Sequence, residues 1–208
     1  MTPTLKKLPE ELGREKAKYI IDKYLTEKYI SLAFVGEVKI SEDVSNDLTK
    51  INCKIKLLSD TKEKTISING KGSGPVDTLY KSLVSRLSKD YKSLEDLRLI
   101  EFKIDADIYE AQERPYYKSE VPVEAVLIVK SYDRNQLAFR RKSKSINRAA
   151  MDVIVEAIEH FINSGLAIKI LKDLIVDAKK RSRGDLVDTY ISDLSELAKS
   201  SFDKNNFF

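Results

Sequence analysis

Residues 64–79, KTISINGKGSGPVDTL, contain the turn that decides the fold of this chain. Apolar residues alternate with polar ones before the turn and recur every three or four positions after it, which predicts a strand followed by a helix. The glycines Gly70, Gly72 and Gly74 stand at alternate positions, where they allow a positive φ or the close approach of another group. Pro75 suits the first turn of a helix, because the amide hydrogen that it lacks would have no intrahelical partner. The first amides of that helix carry partial positive charge, so the turn is predicted to bind a carboxylate or a phosphate.

Two further strand patterns precede the turn. Apolar residues alternate with polar ones over residues 32–40 and 51–57, which predicts two strands with one buried face each. After the turn, the apolar positions of residues 76–87 form one stripe, as in a helix packed on a sheet. The unit is therefore three strands followed by a helix. An additional helix is predicted over residues 8–29.

The same order of elements recurs in the second half of the chain. Strand patterns occupy residues 100–108, 121–129 and 137–139, and a helix is predicted to begin near Ser145, a good N-cap residue. The sequence therefore predicts an α+β fold made of duplicated βββα units with mostly antiparallel strands. The predicted organisation is an N-terminal helical segment at residues 1–30, the duplicated domain at residues 31–164, and a pair of C-terminal helices at residues 165–208.

Composition and charge narrow the function classes. The 208 residues carry a net charge of +4, too mild to call for nucleic acid by itself. A membrane span needs about 20 consecutive apolar residues, which this chain lacks, and its N-terminus does not read as a signal peptide. The single cysteine, Cys53, lies on the buried phase of its strand and is predicted to be a small buried hydrophobe. These features predict a cytoplasmic protein without a membrane partner.

The turn and its surroundings resemble a known family. GSGPVDTL at residues 72–79, followed by LEDLRL at residues 94–99 and a strand, is similar to the C-terminal regulatory, or dimerisation, domain of 2-isopropylmalate and citramalate synthases. The resemblance covers roughly residues 32–163. It implies a homodimer of paired βββα units that binds a branched-chain amino acid, or a related small acid, as a feedback inhibitor of branched-chain amino acid biosynthesis. The ligand-binding residues that we expect are Gly70, Gly72, Gly74, Pro75, Val76, Asp77, Ser145 and Asn147.

The chemistry of an amino acid suits such a turn. Its carboxylate would meet the exposed amides at the start of the helix, and its side chain would enter an apolar pocket. Asp77 is the nearest candidate partner for the ammonium group. The alternative, which is equally open, is that Asp77 only places a favourable negative charge in the first turn of its helix.

The second half departs from the family pattern. Phe139 stands where the family usually has tryptophan, and RKSK at residues 141–144 replaces a run that usually contains a glycine. With Arg140 and Arg148, this run forms a basic cluster. Such a cluster could bind an acidic ligand or a nucleic-acid backbone, although charge runs of this kind more often lie on solvated surface.

Three function classes follow. The first is a non-catalytic regulatory module without cofactor or metal, alone or joined to a synthase catalytic chain; it has no catalytic barrel, and its single histidine, His160, is not expected to be a ligand. A variant of this class is a structural dimerisation module that has lost ligand binding. The second is a dinucleotide-binding enzyme, which the glycine spacing disfavours because it is not G-x-G-x-x-G. The third is a nucleic-acid-binding module, which requires the basic cluster and residues 179–183 to share one face.

Overall fold

The computed structural model describes residues 9–59, 62–106, 123–131 and 136–201. Parts of several predictions lie outside these residues, namely positions 107–108 and 121–122 of two predicted strands and both ends of the chain. The elements follow in the order α1 (Pro9–Leu25), β1 (Ser31–Asp43), β2 (Leu48–Ser59), β3 (Lys62–Gly72), α2 (Pro75–Leu87), β4 (Leu97–Ala106), β5 (Val123–Ser131), β6 (Gln136–Ser143), α3 (Ile146–Lys180) and α4 (Gly184–Ser201).

The strands form two three-stranded antiparallel sheets, which confirms the predicted α+β class. The strand order is β1-β2-β3 in the first sheet and β4-β5-β6 in the second. In the first, Ile55 stands opposite Phe34 and Ile66. In the second, Leu127 stands opposite two phenylalanines on its neighbours. Each meander is followed by a helix, α2 after the first and α3 after the second.

A bulge in β4 changes which of its residues face the core. The pairing with β5 shifts between Leu99 and Glu101, so Ile100 is an extra residue on β4. Strict alternation places Ile100 on the buried face, but its side chain is 47% exposed. Leu97 and Leu99 face inward before the bulge, and Phe102 packs on the core after it. The prediction of one unbroken alternation from residue 100 was therefore wrong at its first residue.

The main core lies between the two sheets and the helices that follow them. It contains the apolar stripe predicted for residues 76–87, with Leu83 and Leu87 of α2 almost fully buried, and Ile154 and Phe161 of α3 are buried to the same degree. Cys53 belongs to the same core, as predicted. Burial raises the pKa of its thiol to about 11, so the group stays protonated.

A second core joins the two ends of the chain. Residues of α1, of the second half of α3 and of α4 form it, including Ile21, Leu171 and Leu197. The helix α3 runs through Gly165 without a break, so the boundary drawn between residues 164 and 165 falls inside it. Glycine in a helix interior costs about 1 kcal/mol relative to alanine. The buried apolar side chains on both sides of Gly165 offset that cost, at roughly 1.5–3 kcal/mol each.

Within the described ranges, no helix combines the length and the apolar character that crossing a lipid bilayer requires.

Candidate functional site

The glycine turn has the geometry expected at the start of α2. Gly74 is the N-cap residue with a φ of 78°, a value that favours glycine, and Pro75 follows in the first turn. The first intrahelical bond runs from the amide of Thr78 to the carbonyl of Gly74, at 3.1 Å. Gly74 offers no side chain to cap the amides that precede this bond. Within the described residues, the N-cap residue of α2 therefore supplies no capping hydrogen bond.

Gly70 and Gly72 have a different role, since they let α2 pack closely on β3. A Cβ atom at Gly70 would lie 2.1 Å from Oγ of Ser82, and one at Gly72 would lie 2.7 Å from Oγ1 of Thr78. The Ser82 hydroxyl is itself held in place, because it donates to the backbone carbonyl of Thr78 at 2.6 Å. These two glycines make room for helix side chains, which is the close-approach alternative of the sequence prediction.

An apolar crevice of about 100 Å³ lies where the starts of α2 and α3 meet. It brings together Pro75, Val76 and Asn147 of the predicted site residues. We call it the apolar crevice, and its complete lining is Val38, Ile40, Ile51, Pro75, Val76, Leu79, Ile104, Ile146, Asn147, Ala150, Met151 and Ile154. The lining comes from both sheets and both helices, so the two halves of the chain build it jointly.

Ser145 and Asp77 lie beside the crevice but do not line it. Ser145 is the N-cap of α3, as predicted, and its hydroxyl accepts a hydrogen bond from the amide of Arg148 at 3.4 Å. The carboxylate of Asp77 forms an ion pair with Lys81, one turn further along α2, at 2.7 Å. This contact favours the interpretation of Asp77 as a helix-end charge, and an ammonium group would have to compete with Lys81 for it.

The three arginines of the basic cluster each form an ion pair with a neighbouring carboxylate. Arg140 pairs with Glu124 at 3.5 Å, Arg141 with Glu156 at 2.9 Å, and Arg148 with Asp152 at 2.8 Å.

The other basic run, residues 179–183, lies at the far end of α3. Arg148 and Lys179 are separated by about 45 Å along the helix, at a rise of 1.5 Å per residue. Arg181 and Arg183 also form ion pairs, with Asp177 and Asp185. The two basic regions therefore lie near opposite ends of α3.

A second, polar cavity of about 250 Å³ lies between α1, β6 and α3. Sequence reasoning missed it, because Arg14 of α1 meets Glu156 of α3 across 142 positions of sequence. Its lining is Arg14, Glu15, Lys18, Ile21, Tyr29, Phe139, Arg141, Glu156, Glu159 and His160, and we call it the polar cavity. The one available signal was the spacing of Glu156 and His160, which places both on the same face of a helix.

His160 is the most unusual group in the polar cavity. Its side chain is only 8% exposed and lies between the rings of Phe139 and Phe161, each with its centroid 5.5 Å away. Burial, together with the nearby positive charge of Arg14, lowers the pKa of the imidazole to about 3. The ring is therefore neutral at ordinary pH, and its Nε2 atom has no hydrogen-bond partner among the described residues.

No protein-family model matches the chain, and no curated protein matches it. The resemblance to the regulatory domain of the synthases therefore stays a prediction that rests on the residues quoted for it.

Proposed function

We propose that this chain is a non-catalytic regulatory module that binds a branched-chain amino acid, or a related small acid, in the apolar crevice. The observation that carries the proposal is the meeting of Pro75 and Val76 of α2 with Ile146 and Asn147 of α3 around one apolar space. A free acid of this class has an apolar tail and a charged head. The crevice offers an environment for the first, and the start of α2, whose N-cap residue supplies no capping hydrogen bond, offers one for the second.

The size of the crevice favours a short branched side chain. Its volume of about 100 Å³ is small for a drug-sized ligand, since such ligands occupy pockets of roughly 300–1,000 Å³. It suits a group of a few carbon atoms, such as isopropyl or isobutyl. Ile146 is 51% exposed and Ile104 is 41% exposed at its rim, so burial against a ligand would remove apolar surface from water.

The proposal is tested by thermal unfolding in the presence of leucine, isoleucine and valine. A ligand that binds only the folded chain raises its stability by RT ln(1 + [L]/Kd). Val76→Phe fills the crevice and should abolish the shift in melting temperature. Val84→Phe is the matched control, because Val84 is half-buried on the same helix but does not line the crevice. Equal shifts in both variants would contradict binding at this site.

Ligands with and without an ammonium group distinguish the two possible roles of Asp77. Leucine carries an ammonium group, whereas its 2-oxo and 2-hydroxy analogues do not. If Asp77 binds the ammonium, Asp77→Asn weakens binding of leucine and leaves the two analogues unaffected. If Asp77 is only a helix-end charge paired with Lys81, the variant affects all three ligands alike.

A structural dimerisation module is the second candidate function, and the exposed isoleucines at the crevice rim favour it. Large apolar side chains grouped on a surface often mark an interface. In this case a second copy of the chain would cover Ile104 and Ile146, with or without a ligand. Sedimentation equilibrium tests it: Ile146→Lys should convert a dimer to a monomer, and a wild-type chain that is monomeric at high micromolar concentration would contradict it.

A further inference from the structure

We propose that the polar cavity is a second binding site, which takes a small oxyanion such as a carboxylate or a phosphate. This site is separate from the apolar crevice, and the proposal does not depend on the proposed function. The cavity measures about 250 Å³ and is lined mainly by residues of α1, β6 and α3.

Two guanidinium groups converge on one carboxylate in this cavity. Nε of Arg141 lies 2.9 Å from Oε2 of Glu156, and a terminal nitrogen of Arg14 lies 3.5 Å from Oε1 of the same group. Each guanidinium carries several N–H donors in a planar fork. Arg14 also lies over the ring of Phe139, 5.2 Å from its centroid, which fixes its orientation. Glu156 accepts a hydrogen bond from Arg14 through Oε1, whereas its Oε2 atom forms an ion pair with Arg141 without a hydrogen bond among the described residues.

A second carboxylate of the cavity lining, that of Glu159, is held by contacts within the fold. Glu159 accepts from the hydroxyl of Tyr29 at 2.8 Å and from the backbone amide of Leu32 at 2.9 Å. These contacts attach the start of β1 to α3, so Glu159 serves the fold. Lys18 lines the same cavity and forms no ion pair with any residue of the described part of the chain. Three cationic side chains, of Arg14, Lys18 and Arg141, therefore line the cavity together with the carboxylates of Glu15, Glu156 and Glu159.

His160 is the independent observation that points to a ligand. The side chain is more than nine-tenths buried, it lines the cavity, and its Nε2 atom has no partner in the described residues. An unpaired buried polar atom costs free energy, and such atoms usually have a partner in folded proteins. A neutral imidazole forms a hydrogen bond with a hydroxyl or oxo group, which would orient an acid whose charged end lies on the arginines.

Glu156 competes with the ligand in this arrangement. Its own carboxylate occupies the position between Arg14 and Arg141 that an incoming oxyanion would share. Burial raises the pKa of this carboxyl despite the two arginines, which shows how poorly the cavity solvates it. Removal of its charge should therefore strengthen anion binding, whereas removal of a charge from either arginine should weaken it.

The test is isothermal titration of the full chain with inorganic phosphate and, separately, with lactate and malate, at constant ionic strength set by chloride. Wild type should bind one anion per cavity. Arg141→Gln should weaken binding by about tenfold or more, because a charge-assisted contact is lost. Glu156→Gln should strengthen binding by about threefold. Preference for phosphate or for the carboxylates identifies which source of oxyanion the cavity takes.

The neighbouring strand residue provides a matched control. Arg140 precedes Arg141 in β6, pairs with Glu124 and does not line the cavity, so Arg140→Gln should leave affinity unchanged. Lys18→Gln is a further variant whose anion affinity can be measured without an effect on folding, since Lys18 is exposed and forms no ion pair in the described residues. The proposal is overturned if neither phosphate nor carboxylates bind, if Arg140→Gln weakens binding as much as Arg141→Gln, or if Glu156→Gln weakens it.

Discussion

The buried histidine makes a quantitative prediction about pH and stability. The pKa of His160 falls from an ordinary value of 6.5 to about 3 on folding, first because of burial and second because of Arg14. A group with a depressed pKa contributes stability that is complete above its unfolded pKa and is lost as pH falls. Between pH 8 and pH 5, the loss amounts to about 2 kcal/mol, at 1.36 kcal/mol per unit. This figure depends mainly on the unfolded pKa, provided that the folded value lies well below 5.

Glu156 acts in the opposite direction, which decides how the experiment is designed. Burial raises its pKa in the folded chain, so its contribution favours folding as pH falls. The pH dependence of wild type alone therefore mixes two effects. His160→Leu removes only the imidazole and retains a side chain suited to the neighbouring phenylalanine rings.

Urea unfolding of wild type and His160→Leu at pH 8 and pH 5 isolates the histidine. We expect wild type to lose about 2 kcal/mol more than the variant between these two pH values. At pH 8 the two proteins should differ little, because the variant also removes a buried polar atom that has no partner in the described residues. Equal losses in the two proteins would refute the reasoning that His160 is buried and neutral.

Three further predictions concern stability, each measured by urea unfolding. Gly70→Ala should cost about 1–3 kcal/mol by overpacking, and the addition of Ser82→Ala should recover part of it; strict additivity would contradict the contact. Ser145→Ala should cost about 1 kcal/mol through the lost cap of α3, and an unchanged midpoint would show that the cap contributes nothing. Tyr24→Phe should cost about 1 kcal/mol, because its hydroxyl donates to Asp193 at 2.6 Å and links α1 to α4; an unchanged free energy of unfolding would contradict this contribution.

Local patterns in the sequence were sufficient to predict the strands and helices and the buried face of each. Alternation over residues 51–57 predicts which side of β2 is buried, because successive side chains of a strand point to opposite faces. Gly74 and Pro75 predict the start of α2 for a similarly local reason. Gly74 permits the positive φ of the N-cap position, and Pro75 restricts its own φ to a value that suits a helix. Ser145 predicts the start of α3, because its hydroxyl accepts a hydrogen bond from the amide of Arg148, three residues later.

Interactions between distant segments were not visible in the same patterns. The stripe of α1 shows that one face is buried but does not show that α3 and α4 cover it. The bulge at Ile100 is a single extra residue, and alternation counted along one strand does not reveal which strand carries it. The polar cavity depends on Arg14 and Glu156, whose contact is set by the docking of whole helices. Of the crevice, the sequence predicted Pro75, Val76 and Asn147, but not the isoleucines of β1 and β4 that complete it.

The N-termini of α2 and α3 at the apolar crevice differ. The difference indicates where the carboxylate and the apolar tail of the proposed ligand would lie. The start of α3 has its own cap, since Ser145 supplies an acceptor to the amide of Arg148. The N-cap residue of α2 supplies none, because it is Gly74. In the proposed complex, a carboxylate would therefore gain more beside α2, whose N-cap residue supplies no acceptor, than beside α3. Ile146 and its neighbours on α3 then provide the wall for the apolar tail. It follows that Ile146→Ala should change the preference among acids with different tails, as measured by the shift in melting temperature that each acid produces.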